Sequence, residues 1–219
     1  MVRKKKISTK EMLKRPDEFL TLSTRTLNWV KDNYQKAIWV GSGIVFLLIL
    51  YFGYSAYQNR QEKLAHEKYF LSQELTDPDQ KIKQMEGITK DYPRTKAAYT
   101  SWVTLGHLYY QKKDFPRAVS AYQMALSKGK FPPAIKTLIL ENLAYTLEQK
   151  GDLPQAAKTF SEIAQGKENL LKEDALLSQA RIFQKMGKHQ EVKASYQAFL
   201  KSFPKSVYAP MVKDRLARL

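Results

Sequence analysis

A run of 21 residues, Ala37 to Tyr57, contains no Asp, Glu, Lys, Arg or His. As an α-helix it would be roughly 30 Å long at about 1.5 Å per residue, which matches the hydrocarbon thickness of a bilayer. Trp39 lies near one end of the run, and Tyr51, Tyr54 and Tyr57 lie near the other, as aromatic residues do at membrane interfaces. The run therefore predicts one transmembrane helix over residues 37–57, anchored by these four aromatic side chains.

Two other interpretations of the run are a core helix of a soluble protein and a signal peptide. Core helices of soluble proteins rarely run this long without a charge. A signal peptide has a short basic region and an apolar stretch of about 7–15 residues, whereas 36 residues precede this longer run. We therefore interpret the helix as an uncleaved anchor.

Lys and Arg dominate residues 1–36, where ten of them face four Asp and Glu. Short basic flanks stay in the cytoplasm, whereas long domains are translocated largely regardless of their charge. The sequence therefore predicts a cytoplasmic tail over residues 1–36, with short amphipathic helices, and a domain outside the cytoplasm over residues 58–219. In a bacterium this is a single-pass inner-membrane protein with a periplasmic domain.

The domain over residues 58–219 is strongly basic. It holds 27 Lys and Arg against 17 Asp and Glu, and the whole chain has a formal net charge of +16. Such a surface attracts acidic partners, including anionic membrane lipid and acidic peptides. Nucleic acid is not an expected partner for a domain outside the cytoplasm. The chain has no Cys, which excludes disulfides, Cys-ligated zinc, iron–sulfur clusters and c-type haem.

A repeated pattern covers most of this domain. Trp102, Leu105, Gly106 and Tyr109 have the spacing that opens a tetratricopeptide repeat. The small–aromatic–small positions of the second helix are filled by Ala118, Tyr122 and Ala125. Related patterns predict repeats near residues 62–94, 99–133, 137–170 and 173–204, with a closing helix over residues 208–219. Within the first three repeats, turns are expected over residues 77–79, 112–116 and 151–154.

One helix pair cannot bury its apolar face alone, so such pairs stack into a solenoid. The expected fold class is therefore all-α, with one transmembrane helix followed by a tetratricopeptide-like right-handed α-solenoid. The signature aromatic residues are expected in its core, and the first helices are expected to line its inner groove.

The predicted groove mixes apolar and aromatic side chains with few charges, which favours binding of an extended or helical polypeptide segment. The candidate partner-binding residues are Phe70, Val103, His107, Tyr110, Leu138, Tyr145, Leu177 and Arg181. The alternative is that the groove packs against a flanking helix of the same protein.

No motif for catalysis is recognisable in the sequence. The three histidines, His66, His107 and His189, are isolated, and there is no HExxH motif, nucleophile elbow or phosphate loop. We therefore expect no enzymatic activity, no cofactor, no metal and no small-molecule substrate.

The order of a basic tail, one span and tetratricopeptide-like repeats resembles the bacterial YfgM-type inner-membrane proteins. Residues 4–36, KKKISTKEMLKRPDEFLTLSTRTLNWVKDNYQK, also resemble the start of anchored repeat proteins of that kind. This resemblance implies an ancillary subunit of the Sec translocon that assists newly exported polypeptides. The leading hypothesis is thus a membrane-anchored periplasmic interaction module.

Three alternatives to that hypothesis remain. The first is a structural scaffold or accessory subunit of another inner-membrane or envelope complex. The second is a module of inverted topology that uses its basic surface in the cytoplasm to bind nucleic acid or anionic lipid. The third is an envelope enzyme.

Overall fold

The computed structural model describes Thr24, residues 27–166 and residues 171–219. All regular secondary structure within these ranges is α-helical, which confirms the all-α fold class. The helices are α1 Tyr34–Gln73, α2 Pro78–Asp91, α3 Lys96–Gln111, α4 Phe115–Lys128, α5 Pro133–Lys150, α6 Leu153–Gln165, α7 Lys172–Lys185, α8 His189–Ser202 and α9 Ala209–Ala217. The helices predicted for the tail lie mostly outside the described residues.

Helix α1 is 40 residues long and contains both the apolar run and the first helix of the repeats. No Gly or Pro interrupts residues 54–73, and the Gln, Arg, Glu and Lys residues that follow the run are good helix formers. The end of the apolar run at Tyr57 is therefore not a break in secondary structure. The chain nevertheless divides there into two compact units, Met1–Tyr57 and Gln58–Leu219.

The apolar part of α1 has the length and composition of a membrane span. None of the residues in its most apolar stretch is buried within the chain, and Trp39 is 79% exposed. This stretch is therefore not a core helix of the described fold. A signal sequence near an N-terminus can also form an apolar helix that meets these criteria, so the helix alone does not distinguish the two.

The domain consists of helix pairs that pack in chain order. From α2 to α9 each helix packs against the next, and α3 also contacts α5. The C-terminal part of α1 joins this stack through Ala65, which has no exposed surface and packs in one cluster with Ile82 and Met85 of α2. The pairs are thus α1–α2, α3–α4, α5–α6 and α7–α8, and α9 follows them.

Contacts between successive pairs recur at the spacing of the repeat. The Tyr69 hydroxyl lies 3.4 Å from Oγ1 of Thr104, 35 residues later in the chain. The Tyr145 hydroxyl lies 3.2 Å from Oγ of Ser178, 33 residues later. These contacts link α1 with α3 and α5 with α7.

Asp residues begin three of the second helices. Asp77, Asp114 and Asp152 each accept a hydrogen bond from a backbone N–H in the first turn, which also contains a Pro. Pro is tolerated there because the first N–H groups of a helix need no partner within it. Turns expected over residues 77–79, 112–116 and 151–154 are consequently shorter, since the last two residues of each already belong to a helix.

The buried apolar side chains form two clusters. The smaller cluster extends over α1 to α4, and the larger extends from α4 to α9. Tyr122, Phe160 and Phe199 of the repeat signature are at most 2% exposed. Trp102 is partly buried and packs against both clusters. Tyr109 and Tyr196 of the signature are also buried, whereas Phe183, like Trp102, is only partly buried. The predicted core position is therefore confirmed for five of the seven signature aromatic residues.

Gly106 allows α3 to approach α4 closely. A Cβ atom at this position would lie 2.6 Å from Cε1 of Tyr122, and the Tyr122 side chain is itself buried. The ring could not stay where it is if residue 106 had a side chain. The Gly of the repeat signature is therefore required by the aromatic residue of the second helix.

Replacing Gly106 by Ala should lower the free energy of unfolding by about 1–3 kcal/mol, because overpacking displaces the buried ring. Gly87 in α2 provides the matched control, since a Cβ atom there meets nothing within 4 Å. Gly87→Ala should raise the stability by about 0.5–1 kcal/mol through its higher helix propensity. Urea unfolding followed by circular dichroism measures both values, and equal effects of the two substitutions would contradict the packing argument.

Candidate functional site

The eight candidate partner-binding residues lie on the first helices of four successive pairs. They are distributed over α1, α3, α5 and α7, and none of them is fully buried. We call this set the first-helix face; it consists of Phe70, Val103, His107, Tyr110, Leu138, Tyr145, Leu177 and Arg181. In solenoids of stacked helix pairs, extended concave surfaces bind partners, and the sequence predicts that these residues line such a groove.

Phe70 and Leu138 are the most exposed apolar residues of the first-helix face. Phe70 is 62% exposed and Leu138 is 39% exposed. Neither belongs to a buried cluster or to the partly buried side chains packed against one. His107 is also exposed, and its Nε2 lies 3.0 Å from Nε2 of Gln111 one turn later. These side chains are available to a partner without changing the core.

Tyr145 and Arg181 are brought together by the stacking of α5 and α7. The guanidinium of Arg181 lies over the Tyr145 ring, 5.9 Å from its centroid. The same ring packs edge-on against Phe160, with centroids 5.2 Å apart. Tyr145 is therefore also a packing residue between repeats.

Three further members of the first-helix face are tied to the core. Val103 and Leu177 pack against the larger buried cluster, and Tyr110 packs against the smaller one. The ring of Tyr110 is also 5.6 Å from the ring of Phe115. The first-helix face therefore combines side chains that are packed against the core with two exposed apolar side chains, Phe70 on α1 and Leu138 on α5.

Glu148 is a buried carboxylate that links two repeats. Its side chain is 4% exposed, and it pairs with Arg181 and with Lys185, whose Nζ lies 2.7 Å from Oε1. Helical spacing from Tyr145 puts Glu148 on the same side of α5, but its pairing is not evident from α5 alone. The sequence does contain one indication of this pairing. Glu148 and Arg181 are 33 residues apart, as are Tyr145 and Ser178, which also contact each other.

Two carboxyl groups of α5 have opposite pKa shifts. Burial opposes ionisation of Glu148, but hydrogen bonds from Arg181 and Lys185 outweigh burial and hold its pKa below the ordinary value. Burial, reinforced by the negative charge of Asp174, raises the pKa of Glu141. Among the ion pairs of residues 27–166 and 171–219, none includes Glu141.

Glu148→Gln should lower the free energy of unfolding at neutral pH by about 1–2 kcal/mol, because two charge-assisted hydrogen bonds become weaker. The half-exposed positions of both cations keep this value moderate. The carboxyl has a lower pKa in the folded protein, so its stabilising effect is present above the unfolded pKa. It is lost as the pH falls through the folded pKa.

Glu141→Gln on the same helix is the matched control with the opposite sign. The pKa of the Glu141 carboxyl is raised in the folded protein, so its ionised form destabilises the fold at neutral pH. Protonation of this carboxyl in acid removes the destabilisation. The Gln variant should therefore be at least as stable as the unsubstituted protein at neutral pH. Urea unfolding at neutral and acidic pH measures both variants, which should approach the unsubstituted protein in acid. Shifts of the same sign at neutral pH would contradict this assignment.

Among the described residues, no group of three or more His, Cys, Asp and Glu side chains is arranged to hold a metal ion. His66 lies on α1, His107 on α3 and His189 at the start of α8. The arrangement of the first-helix face suits contact with a polypeptide, since it offers apolar surface, one aromatic–guanidinium pair and few charges.

Solved structures with a similar fold include a tetratricopeptide repeat protein and MamA. A tetratricopeptide repeat protein from Parabacteroides merdae has a TM-score of 0.56 at 18% identity, over 72% of this chain and 59% of its own. The chain thus spans less than two thirds of that structure. MamA has a TM-score of 0.53 at 12% identity, over 73% of this chain and 88% of its own. At these identities the likeness concerns the fold alone.

No curated protein matches the chain. The family described as tetratricopeptide repeat-like domain, in contrast, matches residues 28–219, which include the apolar run and all four helix pairs. Repeats of this type generally serve as modules for protein–protein interaction. The chain therefore belongs to the tetratricopeptide repeat-like domain family.

Proposed function

We propose that this protein is a membrane-anchored module that binds polypeptide segments on its first-helix face. The observation that carries the proposal is the exposure of apolar side chains on that face, above all Phe70 and Leu138. Exposed apolar side chains on a concave repeat surface are typical of a binding site, because a partner covers them and releases their water.

The first-helix face provides the chemical features that a polypeptide partner uses. Tyr110 and Tyr145 present rings that are already held by neighbouring aromatic residues, so little conformational entropy would be lost on binding. Arg181 is held by Glu148 and lies beside the Tyr145 ring. A hydrophobic segment with a polar or acidic flank fits this surface.

The apolar run of α1 would hold the binding surface close to the bilayer. Anchoring raises the local concentration of a weak binding site near chains that emerge from the membrane. The basic tail favours an N-terminus in the cytoplasm, which places residues 58–219 in the periplasm of a bacterial cell. The proposed clients are newly exported polypeptides beside the Sec translocon.

The orientation can be tested directly because the chain has no Cys. Val207 is 86% exposed, so Val207→Cys should react with a membrane-impermeant maleimide in cells whose outer membrane is permeabilised. Val2→Cys in the tail is the control and should react only after the inner membrane is disrupted. The reverse labelling pattern would contradict the proposed topology, and a shortened, soluble product would identify α1 as a cleaved signal sequence.

The function itself is tested by cross-linking the full-length protein in intact cells and identifying the polypeptides attached to it. Many unrelated exported polypeptides together with translocon subunits would support the proposal. One fixed set of subunits from another envelope complex, in constant ratio, would instead support the scaffold alternative.

Capture should depend on the two exposed apolar residues of the first-helix face. In Phe70→Ala/Leu138→Ala, each truncation should lower the binding free energy by about 1 kcal/mol or more, so the affinity for clients, and with it the amount cross-linked, should fall by roughly thirtyfold. Leu71 is 56% and Val207 is 86% exposed, and neither belongs to the face, so Leu71→Ala/Val207→Ala is the matched control. Equal capture by both double variants would refute a role for this face. Tyr145→Ala is a less suitable probe because it also removes the packing against Phe160.

A further inference from the structure

We propose that a cavity formed by α7, α8 and α9 is a binding site for carboxylate groups of an acidic polypeptide segment. The cavity has a volume of about 460 Å³ and is lined by Arg181, Gln184, Val192, Tyr196, Arg215, Arg218 and Leu219. The inference rests on the proposed function, since it specifies the chemistry of the partner at one end of the first-helix face.

Three arginines line this cavity without any acidic residue in its lining. Three other cavities of the described residues are each lined by charges of both signs. Lys158 and Glu162 line one of them, Lys172 and Glu191 line the second, and Lys63 and Glu67 line the third. Cations that line one cavity repel each other, so an anion that enters the cavity is attracted by all of them and also reduces their mutual repulsion.

The arginines retain hydrogen-bond donors for a ligand. A guanidinium has five N–H groups; Arg181 directs Nη1 to Glu148, and Arg218 directs Nε and Nη2 to Asp214. Within residues 27–166 and 171–219, the side chain of Arg215 has no carboxylate partner. The ion pairs with Glu148 and Asp214 therefore fix the guanidinium groups of Arg181 and Arg218 but leave some of their N–H donors unused. All five side-chain N–H donors of Arg215 remain available.

The lining of the cavity favours a polypeptide carboxylate over a free small anion. Val192 is 1% exposed and Tyr196 is 2% exposed, so the arginines lie beside an apolar wall. Arg181 belongs both to the lining of the cavity and to the first-helix face, so the two surfaces share this side chain. A segment with apolar residues followed by Asp or Glu would contact both surfaces, and planar guanidinium groups suit carboxylate recognition.

The excess of positive charge in the domain supports an acidic partner. Its 27 Lys and Arg exceed its 17 Asp and Glu, so the long-range field attracts acidic chains. That field is diffuse, however, whereas the proposed site depends on particular arginines. The test must therefore separate the cavity from the overall charge.

Fluorescence anisotropy of fluorescein-labelled hexaglutamate provides this test, with the full-length protein purified in a non-ionic detergent and hexaglutamine as the neutral probe. Arg215→Gln/Arg218→Gln should weaken hexaglutamate binding by about tenfold, because charge-assisted hydrogen bonds are lost. Lys201→Gln/Lys205→Gln is the matched control. It removes the same charge from exposed residues outside the cavity and should weaken binding by no more than about twofold through the general field.

Equal effects of the two double variants would overturn the inference, since binding would then follow net charge alone. Equal binding of hexaglutamate and hexaglutamine to the unsubstituted protein would also overturn it. Circular dichroism of each variant verifies that the fold is retained, which is expected because all four substituted residues are exposed. Client capture through Phe70 and Leu138 is measured separately by cross-linking, so failure at the cavity is distinguishable from failure of the proposed function.

Discussion

Each helix pair of this domain buries its apolar face only against the neighbouring pairs, and the remaining features of the domain depend on that requirement. Gly106 must lack a side chain because the Tyr122 ring fills the space between α3 and α4. Trp102 then connects the two buried clusters. Loss of packing at one pair therefore exposes the apolar faces of its neighbours, and the repeats stabilise one another.

The first-helix face consists of side chains that this packing leaves accessible to different extents. Tyr145 contacts Phe160, Ser178 and Arg181 and therefore supports the stack as well as the surface. Phe70 and Leu138 are largely free of such contacts. A surface built in this way is rigid where its rings are held, while its exposed apolar residues still gain from being covered by a partner.

Charge has two different roles in the same part of the molecule. Glu148 is buried and pairs with both Arg181 and Lys185, so these residues help to join α5 and α7. Arg215 forms no ion pair within the described structure and lines the same cavity as Arg181. The net positive charge of the domain alone would not indicate which basic residues stabilise the fold and which remain available for an anion.

Much of the fold follows from local patterns in the sequence. The signature around Trp102 and Tyr109 predicts the helix pairs, because side-chain size and helical spacing decide which face is buried. The Asp–Pro pairs indicate where the second helices begin, although Pro suits a turn and a first helical turn equally, so the expected turns are too long. The apolar run likewise determines by its length and composition that it can cross a membrane. Only the tertiary structure decides that Glu148 is buried between two cations, that Tyr145 is a packing residue and that Arg181, Arg215 and Arg218 line one cavity. These properties depend on distances between helices of different repeats, which the spacing within any one helix does not specify.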